Sequence, residues 1–310
     1  VTTKLLPISA LLAAAALTLA GCSSASGTDD GTTEPSNADG VRIVASTDVY
    51  GDIAKQIGGD RVNVTSIIDD PDKDPHEYEA DARTQLALSK AQLVVENGGG
   101  YDDFVDKMLS ASDNEIASVL NVADISGYDQ EPAEGEFNEH MWYDLPTVQK
   151  LSDELVDQLS AIDPEGAGDY EANAKTFDGQ LAALEQQEQD IKGSFTGAGA
   201  AITEPVPLYM LSAAGLVNKT PDAFSEAIEE GTDVPADVLK QTTELFGSGE
   251  VKVLVYNEQT SGAQTELVLT AAKDAGVPVV PVTETLPDGT DYIGWMTTNL
   301  NALQGALGGK

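Results

Sequence analysis

The chain has 310 residues, 41% of them apolar, enough to bury a core in each of two domains or lobes. Its 53 acidic side chains against 16 Lys and Arg give a formal charge of -37, which excludes nucleic acid as a partner because no basic surface can be assembled. Cations are the natural partners; much of the charge is solvating, and any ligand role falls to a few carboxylates.

Lys4 followed by the short apolar run of residues 11–20 predicts a secretory signal, too brief to span a bilayer as a stable helix. It ends in Leu19-Ala20-Gly21-Cys22, which resembles the bacterial lipobox and implies that Cys22 is lipidated and becomes the new N-terminus (residues 1–22). Cys22 is the single cysteine, so a multi-cysteine zinc site and an intramolecular disulfide are closed to the chain, and a lipid anchor accounts for it. Residues 23–40 are mostly Ser, Gly, Thr, Ala and acid, and read as a flexible tether.

From there the pattern alternates strand and helix. Val41-Arg42-Ile43-Val44-Ala45 predicts a strand, Ser46-Thr47-Asp48 an N-cap, and the spacing of Ile53 and Ile57 a helix ending at Gly58-Gly59. Residues 62–68 predict a second strand, and the loop of residues 69–75 delivers His76 at its C-terminal edge, where open α/β sheets bind ligands. A helix over 83–91, a strand over 93–95, a helix over 102–109 and a strand over 116–122 follow. Asn97-Gly98-Gly99-Gly100 lacks the Gly-Lys-Ser/Thr ending of a phosphate loop and reads as a turn needing permissive backbone. Residues 123–139 are an acidic, mobile segment leading into His140, the second of only two histidines.

Both histidines stand among carboxylates, His76 in Asp74-Pro75-His76-Glu77-Tyr78-Glu79 and His140 in His140-Met141-Trp142-Tyr143-Asp144, which suggests one shared site. A zincin motif fails because Ala80 stands where its second histidine would be, and there is no nucleophile elbow.

With Asp163-Pro164 before Tyr170-Glu171-Ala172-Asn173, and with Tyr256-Asn257-Glu258-Gln259-Thr260, these stretches resemble the metal-binding lipoproteins of bacterial zinc and manganese ABC importers, solute-binding protein family 9, over nearly the whole chain from Val41 onward. The resemblance implies an α/β fold of two lobes, each a mostly parallel sheet flanked by helices, joined by one long rigid helix, with a metal site in the interlobe cleft. The lobes then span 41–165 and 194–310, with the linking helix at 166–193, where Tyr170, Phe177, Leu181, Leu184 and Ile191 recur at near-helical spacing.

In the second lobe, residues 199–203 predict a strand leading to Glu204, 251–256 a buried parallel-type strand, 264–275 a helix, and 277–283 a strand running into Glu284. Glu204 and Glu284 take ligand roles by the resemblance, making His76, His140, Glu204 and Glu284 the implied metal set; Glu258 and Asp144 are the alternatives. The segment 286–296 is expected beside the cleft without touching metal.

Two imidazoles and two carboxylates form a closed set, which suits capture of an ion and not catalysis. Carboxylates favour the harder Mn²⁺, whereas imidazole and the Irving-Williams order favour Zn²⁺. The histidine-rich loop of many zinc-type relatives is missing here, its place being the acidic segment 123–139. The expected function is therefore an extracytoplasmic, lipid-anchored, monomeric binding protein that hands Zn²⁺ or Mn²⁺ to a separate ABC permease. The competing expectation is a surface adhesin or scaffold.

Overall fold

The computed structural model describes residues 40–70, 78, 81–133 and 135–309; Cys22 and His76 lie outside the described residues, as do the signal segment and all of the tether before Gly40. The first lobe holds β1 (Val41–Thr47), α1 (Asp48–Gly58), β2 (Val62–Ile68), α2 (Ala82–Leu88), β3 (Leu93–Glu96), α3 (Phe104–Ala111), β4 (Ser118–Asn121), α4 (Val122–Ser126) and α5 (Leu145–Ile162). Then comes α6 (Ala167–Phe195), a helix of 29 residues and, at 1.5 Å per residue, about 43 Å long. The second lobe holds β5 (Gly199–Ile202), α7 (Leu208–Ala213), β6 (Val217–Asn218), α8 (Asp222–Glu229), α9 (Ala236–Ser248), β7 (Val251–Asn257), α10 (Ala263–Asp274), β8 (Val279–Val282) and α11 (Tyr292–Leu307).

The two lobes repeat one topology. Their sheets run β2-β1-β3-β4 and β6-β5-β7-β8, and every pairing in both is parallel. Parallel sheets are covered on both faces, which explains the near-continuous apolar strands. In β1, Ile43 and Ala45 enter the large core while Val44, one residue out of phase, enters a smaller core with Leu88, Val94 and Val105. β7 divides likewise, Val253 and Val255 facing the large core and Leu254 and Tyr256 facing Phe224 and Phe246. Val251 lies on the same side as Leu254 because the register slips between Gly199 and Ala200 of the neighbouring strand.

α6 buries Tyr170, Ala174, Phe177, Leu181, Leu184, Glu188 and Ile191, a stripe stepping by three and four residues. It packs on α1 and α5 in the first lobe and on α7 and α11 in the second, so one large core passes from lobe to lobe along it. Asp163 fixes its start: the carboxylate accepts hydrogen bonds from Tyr170 Oη (2.8 Å) and Arg61 Nη1 (3.1 Å). Asn173 Nδ2 donates to Ile57 O at 3.0 Å. The motif residues Asp163, Tyr170 and Asn173 therefore tie the helix to the first lobe.

A second bridge joins the lobes. Leu286 N donates to Asp48 Oδ1 (3.2 Å), Tyr292 N to Asp52 Oδ2 (2.8 Å) and Tyr292 Oη to Trp142 O (2.6 Å).

Several sequence expectations need correction. The strand expected over 116–122 is shorter because Ile116 is 76% exposed and cannot join a covered sheet. The acidic segment opens with α4, whose N-cap Asn121 accepts from Asp124 N, before its irregular part. The linking helix runs past Gly193 to Phe195. α5, α8 and α9 were not anticipated.

Candidate metal centre

Open parallel sheets bind ligands outside the carboxyl ends of strands, where the strand order reverses. In the second lobe that point lies between β5 and β7: Glu204 stands just past the end of β5, and Asn257 is the last residue of β7. Glu284 follows β8. In the first lobe the reversal lies between β1 and β3, and β3 runs into the glycine turn.

That turn is a positioning device. Gly98, Gly99 and Gly100 all have positive φ, and a Cβ on Gly98 would come within 2.2 Å of the Asn121 side chain. Asp102 closes the loop by accepting from Asn97 N (2.6 Å) and Gly98 N (2.8 Å). Asn97 Nδ2 then donates to Glu139 O (2.9 Å), holding the residue before His140. Tyr101 Oη, from the same turn, donates to Glu284 Oε2 across the lobes (3.2 Å).

His140 is completely buried. Its ring is wedged beside Trp142, with centroids 5.2 Å apart, and Tyr101 at 6.2 Å. Its Nδ1 lies 2.7 Å from Asn138 Oδ1, an acceptor that suits an Nδ1 proton, and the ring's other nitrogen, Nε2, faces the interior. Asn138 is held by the second lobe: its O accepts from Tyr209 Oη (2.8 Å) and its Nδ2 donates to Pro205 O (3.3 Å). His140 Nε2 makes no hydrogen bond among the described residues. It faces Glu229 Oε1 at 3.3 Å and Glu284 Oε2 at 3.9 Å.

Glu204 and Glu284 are each 1% exposed, and Asn257 Nδ2 donates to both, at 2.5 Å to Glu204 Oε2 and 2.9 Å to Glu284 Oε1. Thr260 Oγ1 also donates to Glu204 Oε2. Burial, then the charges of Glu284 and Glu229, push the Glu204 carboxyl up to about 9. A dry cluster of carboxylates is an environment that a cation would stabilise.

The alternatives from sequence are placed elsewhere. Asp144 is the N-cap of α5, accepting from Thr147 N and Thr147 Oγ1. Glu258 is exposed, because the strand end turns Asn257 and not its neighbour toward the site. Sequence reasoning missed Asn257, although it lies inside a motif that drew attention to Glu258. It also missed Glu229, which no spacing rule connects to His140.

A cleft of about 1200 Å³ lies beside the centre, with Ile67, Asp69 and Asp70 on one side and Ile228, Asp233 and Thr260 on the other. Thr260 links it to Glu204.

Two parallel-sheet lobes on one long helix, with imidazole and carboxylate donors meeting between them, define a two-lobed binding protein. The chain belongs to the family of the zinc-uptake complex component A, periplasmic, whose model matches residues 43–306. It is 25% identical to the manganese ABC transporter substrate-binding lipoprotein scaA of Streptococcus gordonii, over 96% of this chain and 97% of that one. The periplasmic zinc-binding protein TroA from Treponema pallidum shares the fold with a TM-score of 0.72 at 19% identity, covering 86% of this chain and 98% of that one. So does the laminin-binding adhesin Lmb from Streptococcus agalactiae, with a TM-score of 0.73 at 17% identity over 86% of this chain and all of that one.

Asn257 is expected to matter out of proportion to its neutrality. Asn257→Ala would leave Glu204 and Glu284 without their shared donor and is expected to weaken Mn²⁺ binding by about 10- to 100-fold, as loss of an orienting partner does. Calorimetric titration checks it; an unchanged affinity would show that the amide does not orient the carboxylates.

Proposed function

We propose that the chain is the substrate-binding lipoprotein of an ABC importer, which captures a divalent transition metal, Mn²⁺ or Zn²⁺, between its lobes and passes it to a separate permease. His76, His140, Glu204 and Glu284 are the proposed ligands, and Cys22 the proposed lipid anchor on the outer face of the cell membrane. The observation that carries the reading is the buried His140 Nε2, without a hydrogen bond among the described residues and facing carboxylates of the other lobe. Family membership and the names of relatives, manganese for one and zinc for another, support the same cargo class. Among the described residues no helix is long and apolar enough to cross a membrane.

The closed donor set suits binding and release without catalysis, and the acidic cleft wall favours the approach of cations. Metal-stripped protein should take up one ion per chain. At a hundredfold excess over Kd that binding stabilises the fold by about 2.7 kcal/mol, visible as a rise in Tm. Absence of stoichiometric binding and of any thermal shift with either ion would reject this function and favour the adhesin reading.

A further inference from the structure

Glu229 ends α8, which is anchored in the second lobe by the buried Phe224 and the partly buried Ile228 on one side. The next residue along the helix turns toward the first lobe, and its side chain is only 11% exposed. Donor atoms of Glu139, His140 and Glu229 all lie within 4.8 Å of one another. Two donors each about 2.1 Å from one ion, at tetrahedral or octahedral angles, are about 3.0–3.4 Å apart. The 3.3 Å between His140 Nε2 and Glu229 Oε1 is such an edge, and the histidine atom is fully buried and without a hydrogen bond among the described residues.

We infer that Glu229 is a further coordinating residue of this centre and that it makes the site select Mn²⁺ over Zn²⁺. The inference rests on the metal-capture reading above. A third carboxylate beside Glu204 and Glu284 raises the number of hard oxygen donors and the coordination number beyond the four that satisfy tetrahedral Zn²⁺. Oxygen-rich, higher-coordinate sites suit Mn²⁺. Because α8 belongs to the second lobe, Glu229 also ties the ion to a helix outside the strand ends that carry Glu204 and Glu284.

The test is titration of the metal-stripped full chain with Mn²⁺ alone and Zn²⁺ alone, in the wild type, Glu229→Gln and His140→Ala, with visible spectra of the Co²⁺-loaded forms. Glu229→Gln is expected to weaken Mn²⁺ by about tenfold or more and Zn²⁺ by clearly less. Its Co²⁺ spectrum should move from the weak bands of a five- or six-coordinate ion toward the intense bands of a four-coordinate one. Glu229→Asp, which keeps the charge on a shorter arm, should fall between. If Glu229→Gln preserves the Mn²⁺ to Zn²⁺ ratio and the Co²⁺ spectrum while His140→Ala loses both ions, Glu229 is not a ligand and the capture reading stands. A larger loss for Zn²⁺ than for Mn²⁺ overturns the selectivity. If His140→Ala also binds both ions like the wild type, the capture reading fails together with this one.

Discussion

His140→Ala should weaken binding of both Mn²⁺ and Zn²⁺ by about a hundredfold or more. A four-ligand zinc site is worth about 10–16 kcal/mol, so losing one ligand of four removes about 3 kcal/mol or more, and each 1.4 kcal/mol is tenfold in Kd. The variant should still fold, because the Trp142 and Tyr101 rings that flank the imidazole also touch each other, their centroids 5.0 Å apart, with a urea midpoint below wild type from the cavity and the lost Asn138 hydrogen bond. Isothermal titration of both ions reads the first half and denaturation the second. Wild-type affinity in a folded variant would remove His140 from the site and with it the case for an interlobe centre.

The metal-free chain should lose stability as pH rises from about 4.5 to 9, the reverse of the usual benefit from surface carboxylates. Three buried glutamates carry most of it, and Asp48, pushed up to about 6 by burial, acts in the same direction. Glu204 is pushed up to about 9, by burial first and then by Glu284 and Glu229. Glu188, inside the apolar stripe of α6, is pushed up to about 8 by burial, with Glu185 and Asp144 adding to it. Glu96, at the end of β3, is pushed up to about 7, burial outweighing the hydrogen bond from Asn121. The unfolded chain releases these protons near 4.5. Between that pH and the raised values the folded state binds more protons than the unfolded one, so stability falls as pH rises.

Each group contributes about 1.4 kcal/mol per pH unit across its own window, so the loss is steepest below about pH 7, where the three windows overlap. Bound metal opposes the trend through Glu204, where the cation replaces the proton. Uptake at pH 7 should therefore release protons, and affinity should fall with pH as protons compete for the ligands. Urea unfolding at pH 5 and pH 8, with and without Mn²⁺, measures both signs. A metal-free chain that is as stable at pH 8 as at pH 5 would contradict the burial of these carboxyls.

The fold was legible where local pattern and burial coincide. The β-branched runs at Val41 and Val251 became central strands, and the spacing of Tyr170, Phe177, Leu181, Leu184 and Ile191 traced the buried stripe of the longest helix. α5 escaped notice although its buried residues, Leu145, Val148, Leu151, Leu155 and Leu159, follow the same periodicity. α8 is short, with only Phe224 and Ser225 fully buried, and its identity comes from packing against the second lobe.

By itself the sequence determined the family, the alternation of strands and helices, and the presence of rare histidines and strand-end carboxylates, because such features are written in residue type and short-range spacing. Only the tertiary structure decided which side chains converge. Asp144 was spent on capping a helix, Glu258 was turned to solvent, and Asn257 became the donor shared by two carboxylates. Tyr101 reached Glu284 and Glu229 reached His140 across the lobes. No local rule encodes those contacts, since the distance between residues far apart in the chain is set by how two sheets and one long helix pack, and a donor's direction by the last turn of backbone before it.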